Sequence, residues 1–140
     1  MVNVGGSRMI HVGDVVAERV FLINRELLKS YANASGDQNP IHQDEAFAKS
    51  VGLPDVIAHG MLTMALVAKF VTDWVGGSGA VKEFSARFVK PVIVPAGQEV
   101  DLTVSALISE VSDGRVRLDI TATSAGVKVL GMSKALVEKK

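Results

Sequence analysis

The sequence predicts an α+β fold in which an antiparallel sheet curls around one buried helix. From about His59 to Val75 the residues are apolar on nearly every side, which is the pattern of a helix that is buried all round. After this stretch, several segments alternate between apolar and polar residues, as half-buried strands do. Turn signals separate these segments. One buried helix followed by antiparallel strands needs a sheet that curls around it.

The first part of the chain predicts one strand and two further helices. Apolar residues alternate over 15–23, which indicates a strand. Asn24 is placed to cap a helix that continues to about Ala32, because an Asn side chain satisfies free N–H groups at a helix start. The turn-rich segment 35–40 stops this helix. A short helix over 44–50 follows it.

The second half of the chain is predicted to form strands. Apolar and polar residues alternate in four segments, 84–88, 100–108, 116–122 and 127–137. Asp113-Gly114, between the second and the third, is a hairpin turn signal. A sheet of such strands around one helix is the hotdog arrangement, an α+β architecture. The pattern by itself leaves another α+β roll open.

Length and composition indicate one globular domain over residues 1–140. The chain is 48% hydrophobic and 21% charged, and its formal net charge is +0. A chain of 140 residues supports one core comfortably and two poorly. The balanced charge and scarce aromatic residues argue against nucleic-acid binding, because phosphates call for a basic excess and bases for stacking surfaces.

Cysteine content and hydropathy limit the chemistry and the location. There is no cysteine, which removes disulfides, thiolate metal ligands and a thiol nucleophile, and fits a reducing cytoplasm. The first six residues lack the basic and apolar segments of a signal peptide. The most apolar segment, 61–75, contains Lys69 and Asp73 and is too short to cross a bilayer. We expect a cytoplasmic protein with no membrane contact.

Asp37 and His42 form the first candidate site. They lie five residues apart across a turn rich in Gly and Pro. A folded-back loop of this kind can point both side chains at one place. A carboxylate beside an imidazole is an acid–base pair near neutral pH. Such a pair suits hydration of an enoyl thioester, in which water loses a proton as it attacks C3 and C2 gains one.

The second candidate segment is 58–62, Ala-His-Gly-Met-Leu, at the start of the buried helix. During hydration of a thioester, an enolate-like charge forms on the thioester oxygen and needs hydrogen-bond donors. Backbone N–H groups near Gly60 supply such donors together with the helix dipole. Glycine also lets an acyl group approach the backbone closely.

Other interpretations of these residues stay open. Ser, Gly, Asp, Asn and Pro in a row are ordinary turn residues, so composition alone favours a plain turn at 35–40. His42 and Asp44 with His59 suggest a metal site, but without cysteine or a regular ligand spacing we expect no metal and no cofactor. We expect His59 to be structural rather than catalytic. The methionine-rich helix is expected to be core.

The segment 31–42 carries a family resemblance. Its core, Asp37-x-Asn39-Pro40-x-His42, resembles the hydratase motif of the MaoC-like dehydratase and (R)-specific enoyl-CoA hydratase family. The motif is specific, and the family has a hotdog fold. The resemblance implies reversible hydration of 2-enoyl thioesters to (3R)-3-hydroxyacyl thioesters in fatty acid metabolism, a hydro-lyase reaction, on coenzyme A or acyl carrier protein.

The resemblance covers most of the chain. The segment 58–62 is similar to the family at the expected distance downstream, and the likeness extends through 80–84 to 94–95. Within the family, the segments 71–76 and 79–81 are most similar to the B-type subunit of the actinobacterial (3R)-hydroxyacyl-ACP dehydratase. That enzyme works in the elongation of very long fatty acids.

Roles follow from the matching positions. The resemblance makes Asp37 and His42 the catalytic pair that holds and activates water, with Asn39 orienting the loop or the water. It implies a substrate-binding set of Gly60, whose N–H binds the thioester carbonyl, and its neighbours His59 and Met61. Some family members place a serine on the buried helix. The corresponding stretch here, 65–68, has none, whereas the Asp/His pair is kept.

Two other functions use the same fold. A hotdog acyl thioesterase needs an acid aimed at the carbonyl carbon, commonly on the central helix, where the only acid is Asp73. A non-catalytic acyl-binding subunit would not need the intact set of Asp37, Asn39 and His42.

Because open sheet edges invite pairing, we expect a two-fold homodimer with an acyl groove between subunits. A heterodimer with a related hotdog chain lacking the Asp/His pair is the alternative.

Overall fold

The protein is described here from a computed structural model, which covers residues 2–3 and 9–138. Its helices are α1 (Arg25–Ser35), α2 (Glu45–Ser50) and α3 (Gly60–Val75), with 3-10 turns at Pro40–His42 and Ser78–Ala80. Its strands are β1 (Val2–Asn3), β2 (Met9–Ile10), β3 (Val15–Ile23), β4 (Val81–Phe88), β5 (Val100–Ser112), β6 (Arg115–Ser124), β7 (Val127–Lys128) and β8 (Leu130–Glu138).

One antiparallel sheet organises the fold. In the described part of the chain its strands follow the order β3-β5-β6-β8-β4, and the short β7 pairs with β6. Strands β1 and β2 pair separately. Helix α3 packs on the inner face of the sheet against β3, β4, β5 and β8, and buries Leu62, Val67, Phe70, Val71 and Val75 there. The predicted α+β hotdog fold is confirmed.

Helix α1 begins and ends as the sequence predicts. The Asn24 side-chain oxygen accepts a hydrogen bond from the Leu27 N–H at 2.8 Å, which satisfies a donor that the helix leaves free. Gly36 adopts φ 82° and its N–H donates to Ala32 O at 2.9 Å. A left-handed residue of this kind ends a helix and suits glycine. The chain then leaves α1 directly into the loop that carries Asp37.

The hairpin between β5 and β6 is also confirmed. Asp113 and Gly114 have φ values of 51° and 74°, which is the two-residue turn that twisted antiparallel strands prefer. Along β5, the inward residues Leu102, Val104, Ala106 and Ile108 are buried. These two strands form the centre of the sheet on which α3 packs.

The prediction of one regularly alternating strand over 127–137 is wrong. The segment 127–137 is two strands, because β7 ends at Lys128 and β8 begins at Leu130. Within β8, Met132 has φ 47°, and this kink shifts the alternation, so that Leu130 and Ser133 are both buried. The pattern over this segment is therefore not one regular period of two.

Helix α3 is not buried all round. Met61, Ala65, Lys69 and Asp73 form an exposed stripe along it, since the curled sheet covers the opposite side. None of the helices in the described ranges is long and apolar enough to cross a bilayer.

Candidate active site

The loop after α1 is shaped by its own short side chains. The Ser35 hydroxyl oxygen accepts from the Asp37 N–H at 3.2 Å. The Asp37 carboxylate accepts from the Asn39 N–H at 3.1 Å, and the Asn39 side-chain oxygen accepts from the Ile41 N–H at 3.2 Å. These are the local bonds of a tight turn. The plain-turn interpretation therefore describes the backbone here, while the same turn brings Asp37 close to His42.

His42 lies in a 3-10 turn that the sequence did not predict. Its side chain is buried, with 7% exposed, and its Nδ1 lies 2.7 Å from the Ile57 carbonyl oxygen. Since a carbonyl oxygen only accepts hydrogen bonds, Nδ1 must carry the proton in this contact. The neutral ring then holds its lone pair on Nε2. His42 is thereby set up as a proton acceptor at Nε2.

The Asp37 carboxylate and the imidazoles of His42 and His59 lie close together. A carboxylate oxygen of Asp37 and a ring nitrogen each of His42 and His59 all lie within 4.8 Å of one another. Asp37 is exposed, whereas the two histidines are buried. The cluster is thus open to water on the carboxylate side. A water molecule between Asp37 and His42 would contact both groups.

His59 lies behind His42, with 1% of its surface exposed. The two rings are stacked, with centroids 3.8 Å apart and planes 22° apart. The edge of Tyr31 contacts His59 at 4.8 Å between centroids. His59 Nε2 lies 3.1 Å from the Asp37 carbonyl oxygen. Burial lowers the pKa of His59 below its usual value, so this ring is neutral near pH 7.

The start of α3 faces the same region through Gly60. The side chain of His59, the residue that precedes the helix, does not cap it, and the first N–H groups of a helix have no partner within the helix itself. A Cβ at Gly60 would lie 3.2 Å from the Phe88 ring. Glycine therefore lets this ring lie directly against the helix start.

A cavity of about 390 Å³ joins these parts. It is lined by His42 and Gly60 and otherwise mainly by apolar groups, among them Ile41, Val92 and Leu130. Its volume falls within the range of small-molecule sites. An apolar pocket lined by an imidazole and by the glycine that begins α3 suits an acyl thioester.

Thr63 and Phe88 are among the cavity residues that sequence reasoning missed. Thr63 is 4% exposed and its hydroxyl donates to His59 O at 3.5 Å. It is the only hydroxyl in the first two turns of a largely apolar helix, a signal that could have singled it out. Phe88, which contacts Gly60, carried no such signal, because the contact joins residues far apart in the chain.

His59 and Met61, which were also predicted to contact the substrate, do not line the described cavity, and Met61 is 59% exposed. Their predicted contact with substrate stays a prediction. The ammonium group of Lys90 belongs to a residue that lines the cavity. Lys82 donates to the Gly79 carbonyl oxygen at 3.1 Å.

The arrangement suits acid–base chemistry better than metal binding. A metal ion must lie near the plane of each imidazole that binds it, and the stacked rings of His42 and His59 direct their lone pairs along nearly parallel planes rather than toward one point. Asp44, the other acid of the metal interpretation, caps α2 by accepting from the Phe47 N–H at 3.0 Å.

Comparison with known proteins identifies the family. The profile of the MaoC-like domain matches residues 10–128, which include the Asp37 loop, His42 and the start of α3. The chain belongs to the MaoC-like domain family. The match thus confirms the resemblance that the Asp37-x-Asn39-Pro40-x-His42 motif carries.

Three members of this MaoC-like group are similar over most of the chain. The 3-hydroxybutyryl-CoA dehydratase of Methylorubrum extorquens is 32% identical over 136 residues, which is 94% of this chain and 85% of that protein. A solved MaoC-like dehydratase is 38% identical, with a TM-score of 0.90 over 94% of this chain and 41% of that one. The R-hydratase PhaJ1 of Pseudomonas aeruginosa is 30% identical, with a TM-score of 0.79 over 94% and 83%.

Several curated relatives of this MaoC-like chain are much longer proteins. The chain spans 4%, 5% and 26% of three of them. The match with these relatives is therefore a match of this domain alone.

Proposed function

We propose that this MaoC-like chain catalyses reversible hydration of trans-2-enoyl thioesters to (3R)-3-hydroxyacyl thioesters in fatty acid metabolism. The observation that carries the proposal is the meeting of the Asp37 carboxylate with His42 beside an apolar cavity. Relatives named as a 3-hydroxybutyryl-CoA dehydratase and an R-hydratase support both the reaction and its stereochemistry. The enzyme would be a hydro-lyase that needs no cofactor.

The reaction uses the pair as one acid–base unit. Asp37 and His42 hold a water molecule, and Nε2 of His42 accepts its proton as the oxygen forms a bond to C3 of the enoyl group. The π electrons of the C2–C3 double bond move toward C2 and the thioester oxygen. The pair then returns the proton to C2, so that the elements of one water add across the bond. Dehydration follows the same path in reverse.

The start of α3 stabilises the charge on the thioester oxygen. Gly60 lines the cavity at the start of this helix, where the helix dipole favours negative charge. A preorganised donor contributes about 100- to 1000-fold to the rate in enzymes that use one. The apolar lining keeps other water away from the acyl group and strengthens this interaction.

The carrier is proposed to be coenzyme A or acyl carrier protein, reached past Lys90. This residue lines the cavity and is exposed. An exposed ammonium group attracts the phosphates of coenzyme A or the acidic surface of a carrier protein. The reaction would take place in the cytoplasm, which the absence of cysteine fits.

We propose that the active form is a two-fold dimer. Within the described residues, β4 pairs with β8 on one side and forms an edge of the sheet on the other. Large apolar side chains lie exposed near this edge and the cavity, with exposed fractions of 59% for Met61, 53% for Phe88 and 48% for Val89. A second copy joined along β4 would cover both features. A related hotdog chain in place of that copy is the alternative.

The two alternative functions have less support. Asp73, the acid of the thioesterase hypothesis, lies near the far end of α3 and accepts bonds from Lys69 at 3.0 Å and Arg19 at 2.8 Å. These bonds lower its pKa, and they hold it on the exposed stripe. A non-catalytic subunit would have no use for the Asp37 and His42 pair.

Incubation of the purified protein with crotonyl-CoA distinguishes the three functions. The proposal predicts loss of enoyl absorbance and an (R)-3-hydroxy product on chiral analysis. Release of free coenzyme A would support the thioesterase, and no reaction would support the binding subunit. An (S) product would contradict the proposed arrangement of Asp37 and His42 about the double bond.

A further inference from the structure

We propose that His59 is a positioning residue, which holds the Asp37 loop against His42 through a hydrogen bond from its buried ring to the Asp37 backbone. The inference rests on the proposed function for its kinetic readout. The bond joins His59 Nε2 to the Asp37 carbonyl oxygen over 3.1 Å. It connects residues 22 positions apart, the loop after α1 and the start of α3.

The Asp37 loop needs an anchor of this kind. Most of its other side-chain hydrogen bonds are local: those from Ser35 through Asp37 and Asn39 to Ile41 span two residues, and those of Gln38 to Asn33 and Gln43 span five. Bonds over so short a span fix the shape of a turn but not its place on the protein. The loop is exposed on its outer side. The far end of the loop is held at Ile57, which bonds the Ile41 carbonyl oxygen and His42 Nδ1. The bond to His59 holds the other end, the one that carries Asp37.

The surroundings of His59 determine which ring nitrogen donates. A carbonyl oxygen requires a proton on Nε2, which leaves a lone pair on Nδ1. Nδ1 is buried and has no hydrogen-bond partner in the part of the chain that the structure describes. The opposite tautomer would bury an unpaired donor there and bring two lone pairs together at Asp37, so it is disfavoured. Burial also keeps the ring neutral, with a lowered pKa.

Ring contacts hold His59 itself in place. One face stacks on His42 at 3.8 Å between centroids, and the edge of Tyr31 contacts it at 4.8 Å. The Thr63 hydroxyl donates to its carbonyl oxygen at 3.5 Å. With these contacts the imidazole has one orientation, in which Nε2 is directed at the loop. His42 and Asp37 are thus both held by the same ring.

Two variants separate the hydrogen bond from the ring. His59→Phe keeps a planar ring for the stack but has no donor. His59→Gln places a side-chain N–H where imidazole Nε2 lies. We expect His59→Phe to lower kcat by about 10- to 100-fold, as small misplacements of reacting groups do, with KM little changed. His59→Gln regains most of this loss.

Val71→Ala serves as the matched control for stability. Val71 is fully buried on α3 and lies three turns from His59. The variant lowers the thermal midpoint without touching the loop, and its kcat stays that of the wild type. Unchanged kcat in His59→Phe would overturn the proposal, as would a Gln variant no better than Phe. A raised KM at unchanged kcat would make His59 a substrate contact instead.

Nitrogen NMR tests the inference apart from the enzyme reaction. The chain has three histidines, so replacing each one in turn identifies its ring signals in long-range ¹H–¹⁵N spectra. We expect His59 to carry its proton on Nε2 and His42 to carry its proton on Nδ1. If the wild type proves inactive, the proposed function fails while this measurement still decides the inference. A proton on Nδ1 of His59 would overturn the hydrogen bond to Asp37.

Discussion

The imidazole rings of His42 and His59 are stacked 3.8 Å apart, although they lie 17 positions apart in the chain and on different elements. Each ring donates to a different backbone carbonyl, His42 to Ile57 and His59 to Asp37. These two bonds give the stacked rings opposite tautomers. His42 is left with a lone pair on Nε2, and His59 with one on its buried Nδ1. Only His42 is then available for proton transfer with water.

Removal of either member of the acid–base pair should abolish most of the hydration activity. We expect Asp37→Asn and His42→Ala each to lower kcat by roughly 100-fold or more. The double variant should be little worse than the poorer single one, because the two act as a unit. Asn39→Ala should do less damage, since its oxygen bonds the Ile41 N–H rather than the water.

Steady-state kinetics with crotonyl-CoA measure these effects. Asp44→Asn is the matched control, because Asp44 is a nearby carboxylate whose cap of α2 an Asn can replace. Wild-type activity in both Asp37→Asn and His42→Ala would mean that the loop is a structural turn with no catalytic role.

Substitution of Gly60 should act through Phe88. A Cβ at this position lies 3.2 Å from the Phe88 ring, so Gly60→Ala must displace the ring or the helix start. We expect kcat/KM to fall about tenfold, because the helix N–H groups move relative to the thioester. In the background of Phe88→Leu, which removes the contacting ring atoms, the same substitution should cost less. Equal losses in both backgrounds would rule out the Phe88 contact as the cause.

The stability of the protein should depend on pH through His59. Its pKa is lowered in the folded state by burial from an ordinary value of 6.5. The unfolded chain therefore binds a proton as the pH falls below 6.5, whereas the folded chain does not until its own lower pKa is reached. The free energy of unfolding consequently falls over this window and is unaffected above it.

Chemical unfolding at a series of pH values checks this dependence. His59→Gln should flatten the curve below pH 6.5, since it removes the titrating ring. His11→Gln is the control, because His11 is an exposed histidine. A wild-type curve that His59→Gln leaves unchanged would contradict the assignment to this ring.

The proposed dimer should depend on the apolar surface beside the cavity. We expect light scattering to give twice the chain mass and activity to fall on dilution. Met61→Glu should shift the protein toward the monomer, because burying a carboxylate at an interface is costly. Val12→Glu is the control, since Val12 is 61% exposed against 59% for Met61. A monomer that is fully active at nanomolar concentration would exclude the dimer.

The sequence predicted the features whose causes are local. Asn24 and Gly36 bound α1 because a cap or a left-handed end depends only on neighbours within one turn. The hairpin at Asp113 and Gly114 follows from the same kind of interaction. The prediction of one alternating strand over 127–137 was wrong, because Met132 has φ 47° and the pairing of β4 with β8 shifts register between Ser85 and Arg87. The alternation of apolar residues gives no sign of such an irregularity.

For the site, the sequence by itself determined that Asp37 and His42 share one tight loop, because Ser, Asp and Asn side chains shape that turn through bonds two residues long. Only the tertiary structure decided where this loop lies. The Ile57 carbonyl that selects the His42 tautomer and the His59 ring behind it lie in the segment before α3, and the Phe88 ring against Gly60 lies at the end of β4. Their positions depend on how α3 packs in the sheet, which no local pattern encodes.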